Sequence, residues 1–401
     1  MRLLVATDQW SPDTIGGSAR VAADTARALV ARGHSVTALV PRHPELPAHS
    51  HEEGVELLRV LRRHGVPGTF ADPITTRRAA RSLSSRPFDV LVGHQSTVAA
   101  GLAAALPGVP LALVFHASAV LESRYLQSRS GWRRRAVLRA LEPTLARLER
   151  RTVSRASRIL VLSAFSRELV EQRYPAAAGR IRQARGGVDA SFLAPPAETP
   201  AVVRGRYGVP DGAVFLFTAR RLEPRMGVEE LLGAIASLNG APLALAIAGD
   251  GIQRTALEEL TRSLSLTDRV TFLGRVQDRE LRALYAAADL FVLPTVAYEG
   301  FGMSTVEALA SGTPVLGTAV GATPEILAPI GEELIVARAE PNAIADGLRR
   351  VIPLLTPELR ARCARRARDE YAWEAAIVPW EAALIEAAAI DEERVPGNLG
   401  G

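Results

Sequence analysis

The sequence contains no lysine; all 48 of its strongly basic side chains are arginines. This excludes Schiff-base catalysis and any phosphate-binding loop that depends on a lysine. Any cationic contact with a phosphate must come from a planar guanidinium fork rather than a compact ammonium. Cys363 is the only cysteine, which excludes an intramolecular disulfide and a cysteine-cluster metal site. No run of about 18 apolar residues occurs, so no transmembrane helix is expected. The opening MRLLVATDQW is too short an apolar run for a signal peptide and reads as a first buried strand, so the chain is expected in the cytoplasm. No aspartate-rich motif stands out, and neither a metal nor a cofactor is expected. The formal net charge is only +5, and no nucleic-acid partner is expected.

What is present is a chain of 401 residues, nearly half of them hydrophobic, which is long enough for two domains with separate cores. Short apolar runs alternate with helical stretches. LLVATD, SVTALV, DVLVG, PLALVFH and RILVLS read as buried strands of a first unit, with helices at 18–32, 97–105 and 132–157 among them. Ser18 is placed as the N-cap of the first helix. The proline-rich FLAPPAETPAVV, 192–203, reads as a linker. The alternation then restarts with VFLFTAR, LALAIAG, VTFLG, LFVLP and PVLGT, separated by helices at 227–237, 252–264, 278–287 and 304–311. Strand–helix alternation implies parallel sheets covered on both faces. The fold class is therefore α/β, with two Rossmann-like doubly wound domains facing a cleft, and ligands are expected at the carboxyl ends of the strands. The first domain is assigned to 1–192 and the second to 204–371. The segment from 372 to about 390 is assigned as a helix returning to the first domain, ahead of a disordered tail.

Three loops at strand ends could carry chemistry. TIGGSAR, 14–20, places Gly16 and Gly17 ahead of a helix whose first N–H groups suit an anion, although Gly-Gly is equally a tight turn. TARRLEPRMGVEELL, 218–232, places Arg220, Arg221 and Arg225 above the first strand of the second unit. Two guanidinium groups there would suit a diphosphate, against the ordinary reading of solvated charge. EGFGMSTVEALASG, 299–312, follows LFVLP and opens a helix. Ser304 and Glu307 have the spacing of a capping box, which needs no ligand. Glu299 has no such structural explanation and is the better indicator of function. His116 ends the strand PLALVFH.

Together these residues resemble retaining nucleotide-sugar glycosyltransferases of the family 4 type, with the two-domain GT-B fold. The match runs from residue 1 to about 388 and is most specific in EGFGMSTVEALASGTPVLGT, followed by Gly321 and Pro324-Glu325. GGSARVAADTARALVARGHSV, RGGVD, AGDG, VTFLGRV, LYAAADLFVLP and the closing YAWEAAIVPWEAALIEAA follow in the family's order.

The resemblance implies a role for each position. Gly16 and Gly17 would face the donor's distal phosphate or its sugar, and His116 the sugar. Arg221 matches the arginine that clasps the diphosphate. The family's usual loop lysine is replaced by Met226, with Arg225 the expected substitute. Glu299 would lie near the sugar, within the donor loop Glu299-Gly300-Phe301-Gly302. Backbone N–H groups of Gly302, Met303 and Ser304 would meet phosphate or sugar, Glu307 would accept from the ribose hydroxyls, and the backbone at Arg275 and Val276 would read the base.

The expected activity is transfer of a sugar, with retention and without a metal, from a nucleotide-sugar donor to a hydroxyl acceptor. A UDP-sugar is favoured over a GDP-sugar, and the expected acceptor is the hydroxyl of a glycan, a lipid-linked molecule or a small molecule. His116, Glu299, Arg221 and Arg225 are assigned to catalysis. A nucleotide-sugar epimerase and a non-catalytic nucleotide-sugar-binding partner of another transferase are the alternatives. The acceptor would contact loops such as 42–54, 64–78 and 118–131, where arginines at 124, 129 and 133–135 would suit an anionic or membrane-borne molecule. WRRRAVLRALEPTLARLERR, 132–151, suits either a peripheral membrane contact or an ordinary packed helix.

Overall fold

The computed structural model describes residues 1–13, 16–60, 68–128, 131–238 and 240–392. Thr14 and Ile15 of TIGGSAR, the start of the 64–78 loop, Arg129 and the tail lie outside the described residues. Two compact units divide the chain: Met1–Gly186 with the segment from Ala376, and Gly187–Ala375.

The first unit contains β1 (Arg2–Ala6), β2 (Ser35–Pro41), β3 (His49–Glu52), β4 (Val55–Val60), β5 (Val90–His94), β6 (Leu111–Val114), β7 (Arg158–Val161) and β8 (Ile181–Gln183). Their spatial order is β3-β4-β2-β1-β5-β6-β7-β8. All pairings are parallel except that of β3 with β4. The parallel strands are apolar because helices cover both faces, and Leu4, Leu91, Leu113 and Ile159 are fully enclosed in one core. HSHE, the antiparallel edge strand, carries no apolar period. Buried Arg59 ties it in place, reaching Glu52 at 2.7 Å and Asp13 at 3.1 Å.

The second unit contains β9 (Val214–Ala219), β10 (Leu243–Ala248), β11 (Val270–Gly274), β12 (Leu290–Leu293), β13 (Val315–Thr318) and β14 (Ile335–Val336). The order is β11-β10-β9-β12-β13-β14, parallel throughout. From β9 the crossovers run outward one way to β10 and β11 and the other way from β12. The switch point, where the connections part to opposite sides, therefore lies between the central strands β9 and β12.

The helices depart from the sequence reading in informative places. The first spans Gly17–Ala31, with Gly16 rather than Ser18 at its N-cap position and no side-chain cap. Ser18 Oγ instead donates to Gln9 Oε1 at 3.2 Å. Trp132–Arg155 is one helix despite Pro143. FLAPPAETPAVV overlaps two short helices, Ala190–Leu193 and Pro200–Arg206. The closing helix, Trp373–Glu392, also contains a proline, Pro379. Its first-unit portion is anchored by buried Trp380, whose Nε1 donates to Arg185 O at 2.8 Å, and by Glu386, which accepts from Arg158 and Arg182. Among the described residues, no helix is long and apolar enough to cross a membrane.

Candidate functional site

The loops after β9 and β12 start from neighbouring strand ends, so residues 79 positions apart in sequence meet. Arg220 Nη2 donates to Glu299 Oε2 at 3.0 Å, and Thr295 Oγ1 donates to the same oxygen at 2.9 Å. Glu299 Oε1 accepts from no group among the described residues. The Arg220 side chain is only 4% exposed, and its Nη2 also lies 3.2 Å from Met226 Sδ. Nε and Nη1 of Arg220 are buried without a hydrogen-bond partner among the described residues. Burial pushes the Arg220 guanidinium below its ordinary pKa and Arg225 pushes the same way, while Glu299 opposes both. An arginine starts so far above neutrality that it remains charged.

The sequence reading assigns the diphosphate to Arg221 and Arg225; the arginine that the structure brings to Glu299 is their neighbour Arg220. Arg221 is 48% exposed, and its nearest carboxylate is Glu223, at 3.5 Å. Arg220 and Arg221 are the first two residues past β9, and their side chains part: Arg220 is buried against Glu299 while Arg221 lies half in solvent. Arg225 takes part through both its backbone and its side chain: its carbonyl accepts from Val296 N–H at 2.9 Å, and Nη1 donates to Tyr298 O at 3.2 Å.

Two glycines allow these loops to pack together. A Cβ on Gly227, where φ is +76°, would lie 1.6 Å from Pro294 O. A Cβ on Gly321, where φ is +61°, would lie 2.0 Å from Glu299 O. Only glycine combines that backbone conformation with so close an approach. Tyr298, just before Glu299, adopts a left-handed φ of 59° without being glycine, a conformation that costs energy and clusters at functional sites.

The helix Met303–Ala310 begins one residue earlier than expected, with Gly302 at its N-cap position and no side-chain cap. The capping-box reading of Ser304 and Glu307 is therefore corrected. Glu307 is buried, and its Oε2 accepts from Tyr285 Oη at 3.0 Å. With no side chain closing it, the helix start leaves its positive end and first N–H groups to other acceptors. Phe301 is a core residue, its ring edge-on to Tyr371 at 5.9 Å, so only its backbone faces the loop chemistry. Gly300 and Met303 flank this turn. Arg275 is exposed and Val276 half-buried beyond the end of β11, the edge strand of the sheet.

Gly16, Gly17 and His116 belong to the first unit. Gly16 and Gly17 follow β1, and His116 lies two residues beyond β6. His116 Nε2 and His94 Nδ1 are 2.9 Å apart, and their rings stack at 5.2 Å. Burial lowers the pKa of His116 to about 4 and that of His94 well below the usual imidazole range. Both rings are neutral at pH 7, one donating to the other. His94, the last residue of β5, went unnoticed in the sequence because nothing local links it to His116. Among the described residues, no three carboxylate, imidazole or thiol groups converge as metal ligands.

Comparison with known proteins places this geometry in context. Residues 15–192 match the profile of Glycosyltransferase Family 4, and residues 202–370 that of Glycosyl transferases group 1. The chain is 30% identical, over 317 residues, to a D-inositol 3-phosphate glycosyltransferase of Salinispora arenicola; the match covers 74% of this chain and 68% of that protein. The first two curated relatives it matches are spanned over only 38% and 58% of their lengths. In fold it is similar to a sucrose-phosphate synthase from Thermosynechococcus elongatus, with a TM-score of 0.82 at 22% identity, covering 97% of this chain and 99% of that one. Anabaena HepE, solved in complex with UDP and glucose, gives a TM-score of 0.76 at 18% identity, covering 96% of this chain and 99% of that one.

Proposed function

Because the chain belongs to the family 4 glycosyltransferases of the GT-B fold, we propose that it transfers a sugar, with retention, from a UDP-sugar to a hydroxyl acceptor. The observation that carries this reading is the Arg220–Glu299 pair at the β9/β12 switch point, beside Arg225 and an uncapped helix start. Cleaving the bond from the anomeric carbon to the diphosphate makes the sugar oxocarbenium-like and adds negative charge to the leaving group. Guanidinium groups and helix N–H groups stabilise that negative charge; removing one such donor costs on the order of 3 kcal/mol, about a hundredfold in rate. The open oxygen of Glu299 stabilises the positive sugar or orients its hydroxyls. The acceptor oxygen bonds to the anomeric carbon on the face the diphosphate leaves, and its proton passes to a diphosphate oxygen. Glu307, held by Tyr285, accepts from the ribose. Gly16, Gly17 and His116 keep the sugar and phosphate roles that the resemblance gives them; His116 acts as a neutral ring.

In this reading charge neutralisation falls to arginines rather than to a metal. The acceptor is a glycan, a lipid-linked molecule or a small molecule carrying a hydroxyl. The exposed start of the helix Trp132–Arg155, with Trp132 74% exposed among Arg133, Arg134 and Arg139, supports a peripheral contact with an anionic membrane.

The test is incubation of the purified chain with a panel of UDP- and GDP-sugars, with and without chelator, following slow donor hydrolysis. We expect one UDP-sugar to be cleaved at a rate insensitive to chelator, Glu299→Ala to lose that activity, and the released sugar to form first as the donor's own anomer. A sugar-modified nucleotide formed without acceptor would instead indicate an epimerase. Binding without cleavage, even with candidate acceptors added, would indicate a binding partner of another transferase.

A further inference from the structure

In a chain without lysine, position 226 holds a buried methionine. Its sulfur lies 3.2 Å from Nη2 of Arg220, the same nitrogen that holds Glu299 at 3.0 Å. Two bonds beyond a methionine sulfur span ~2.5 Å, so an ammonium carried on a lysine at 226 would reach the place now occupied by Arg220 Nη2. The two positions, 220 and 226, thus compete for one pocket beside Glu299, and only one of them can fill it with a cation.

We propose that Arg220 is the positioning residue of this site: its buried charge fixes Glu299 Oε2 from a place that a lysine at 226 would otherwise reach. This rests on the function proposed above. Three features carry it. The first is burial: a guanidinium taken out of water is retained only where its charge is used or compensated. The second is the division of labour at Glu299. Arg220 and Thr295 both bind Oε2, which sets the carboxylate plane and leaves Oε1 to a ligand. The third is incomplete pairing. Nε and Nη1 of Arg220 have no partner among the described residues, as expected of a fork whose planar donors fit a site built for a single ammonium. Arg220 acts through Glu299 and through its field, since its side chain is only 4% exposed.

The test is a cycle of Arg220→Gly, Met226→Lys and the double variant, with Arg220→Gln as the size-conserving single change. Two quantities are read: melting temperature, and donor turnover split into kcat and KM. Met226→Lys alone should lower the melting temperature, because it sets a second cation against Arg220. In the Arg220→Gly background the same change should raise it. This reversal of sign requires no turnover, so it holds or fails independently of the transferase reading. Arg220→Gln should lower kcat about a hundredfold while donor KM stays within threefold, and the double variant should recover at least tenfold over Arg220→Gly. The proposal is overturned if Met226→Lys shifts the melting temperature in the same direction in both backgrounds, if a folded Arg220→Gln variant keeps its kcat, or if its loss is confined to KM. If the sign reversal is seen but no variant or wild-type protein turns over any donor, the shared cation pocket stands and the transferase reading fails.

Discussion

Replacing Gly321 with alanine should disable the site without altering any side chain in it. The added Cβ would lie 2.0 Å from Glu299 O, whereas real Cβ atoms stay beyond 3.0 Å. The Glu299 peptide or Gly321 must therefore retreat by about 1 Å, the difference between those two distances. That peptide also accepts from Ala322 N–H at 2.9 Å, so the hydrogen bond is strained by the same movement. A left-handed alanine costs at least about 1 kcal/mol, and a lost backbone hydrogen bond about 1 kcal/mol more, giving a destabilisation of about 2 kcal/mol. The catalytic effect should be larger: a misplacement of about 1 Å costs about a hundredfold in rate. Gly212→Ala provides an internal control. Gly212 also has a positive φ, +75°, but nothing lies within 4 Å of its would-be Cβ. It should lose about 1 kcal/mol of stability and no activity. The measurements are urea denaturation of both variants and kcat/KM for donor hydrolysis. If Gly321→Ala stays within threefold of wild type, or Gly212→Ala loses as much activity, the claim that Gly321 holds Glu299 in place is wrong.

Two further outcomes are expected. His94 and His116 have folded-state pKa values below the ordinary 6.5, so between pH 6.5 and about 4 the unfolded chain binds more protons than the native one. Stability should therefore fall as pH is lowered through that window. Urea midpoints measured from pH 7 to 5 should show this slope, and His94→Gln/His116→Gln should flatten it; a flat wild-type curve would contradict the buried neutral pair. Trp132→Ala combined with Arg133→Ser and Arg134→Ser should abolish co-sedimentation with anionic phosphatidylglycerol vesicles and leave hydrolysis of soluble donor unchanged. Equal recovery of variant and wild type with the vesicles would refute the membrane contact.

Much of the molecule was legible in its sequence because the relevant forces are local. Apolar runs of strand length between helical stretches indicated parallel sheets, since a strand covered on both faces must be apolar throughout. The absence of lysine limits any strongly cationic contact to a guanidinium. EGFGMSTVEALASG identified Glu299 and Glu307 as residues of interest through their placement after a strand and around a helix start. HSHE was missed because an edge strand facing water has no apolar period to read.

The arrangement of the site was a tertiary decision. Arg220 and Arg221 are identical in type and adjacent in sequence, and no local rule ranks one above the other. The pairing of β9 with β12, with Leu216 beside Leu290 and Phe217 beside Phe291, brings the two following loops together, and it is there that Arg220 meets Glu299. The apparent capping box failed for a similar reason: Glu307 is buried against Tyr285, 22 residues away, and the N-cap position falls to Gly302 instead of Ser304. The pairing of His94 with His116 likewise exists only because β5 and β6 are neighbours in the sheet. Sequence sets which groups are available and which segments bury their faces; strand order and register, fixed by packing between distant segments, set which of those groups meet.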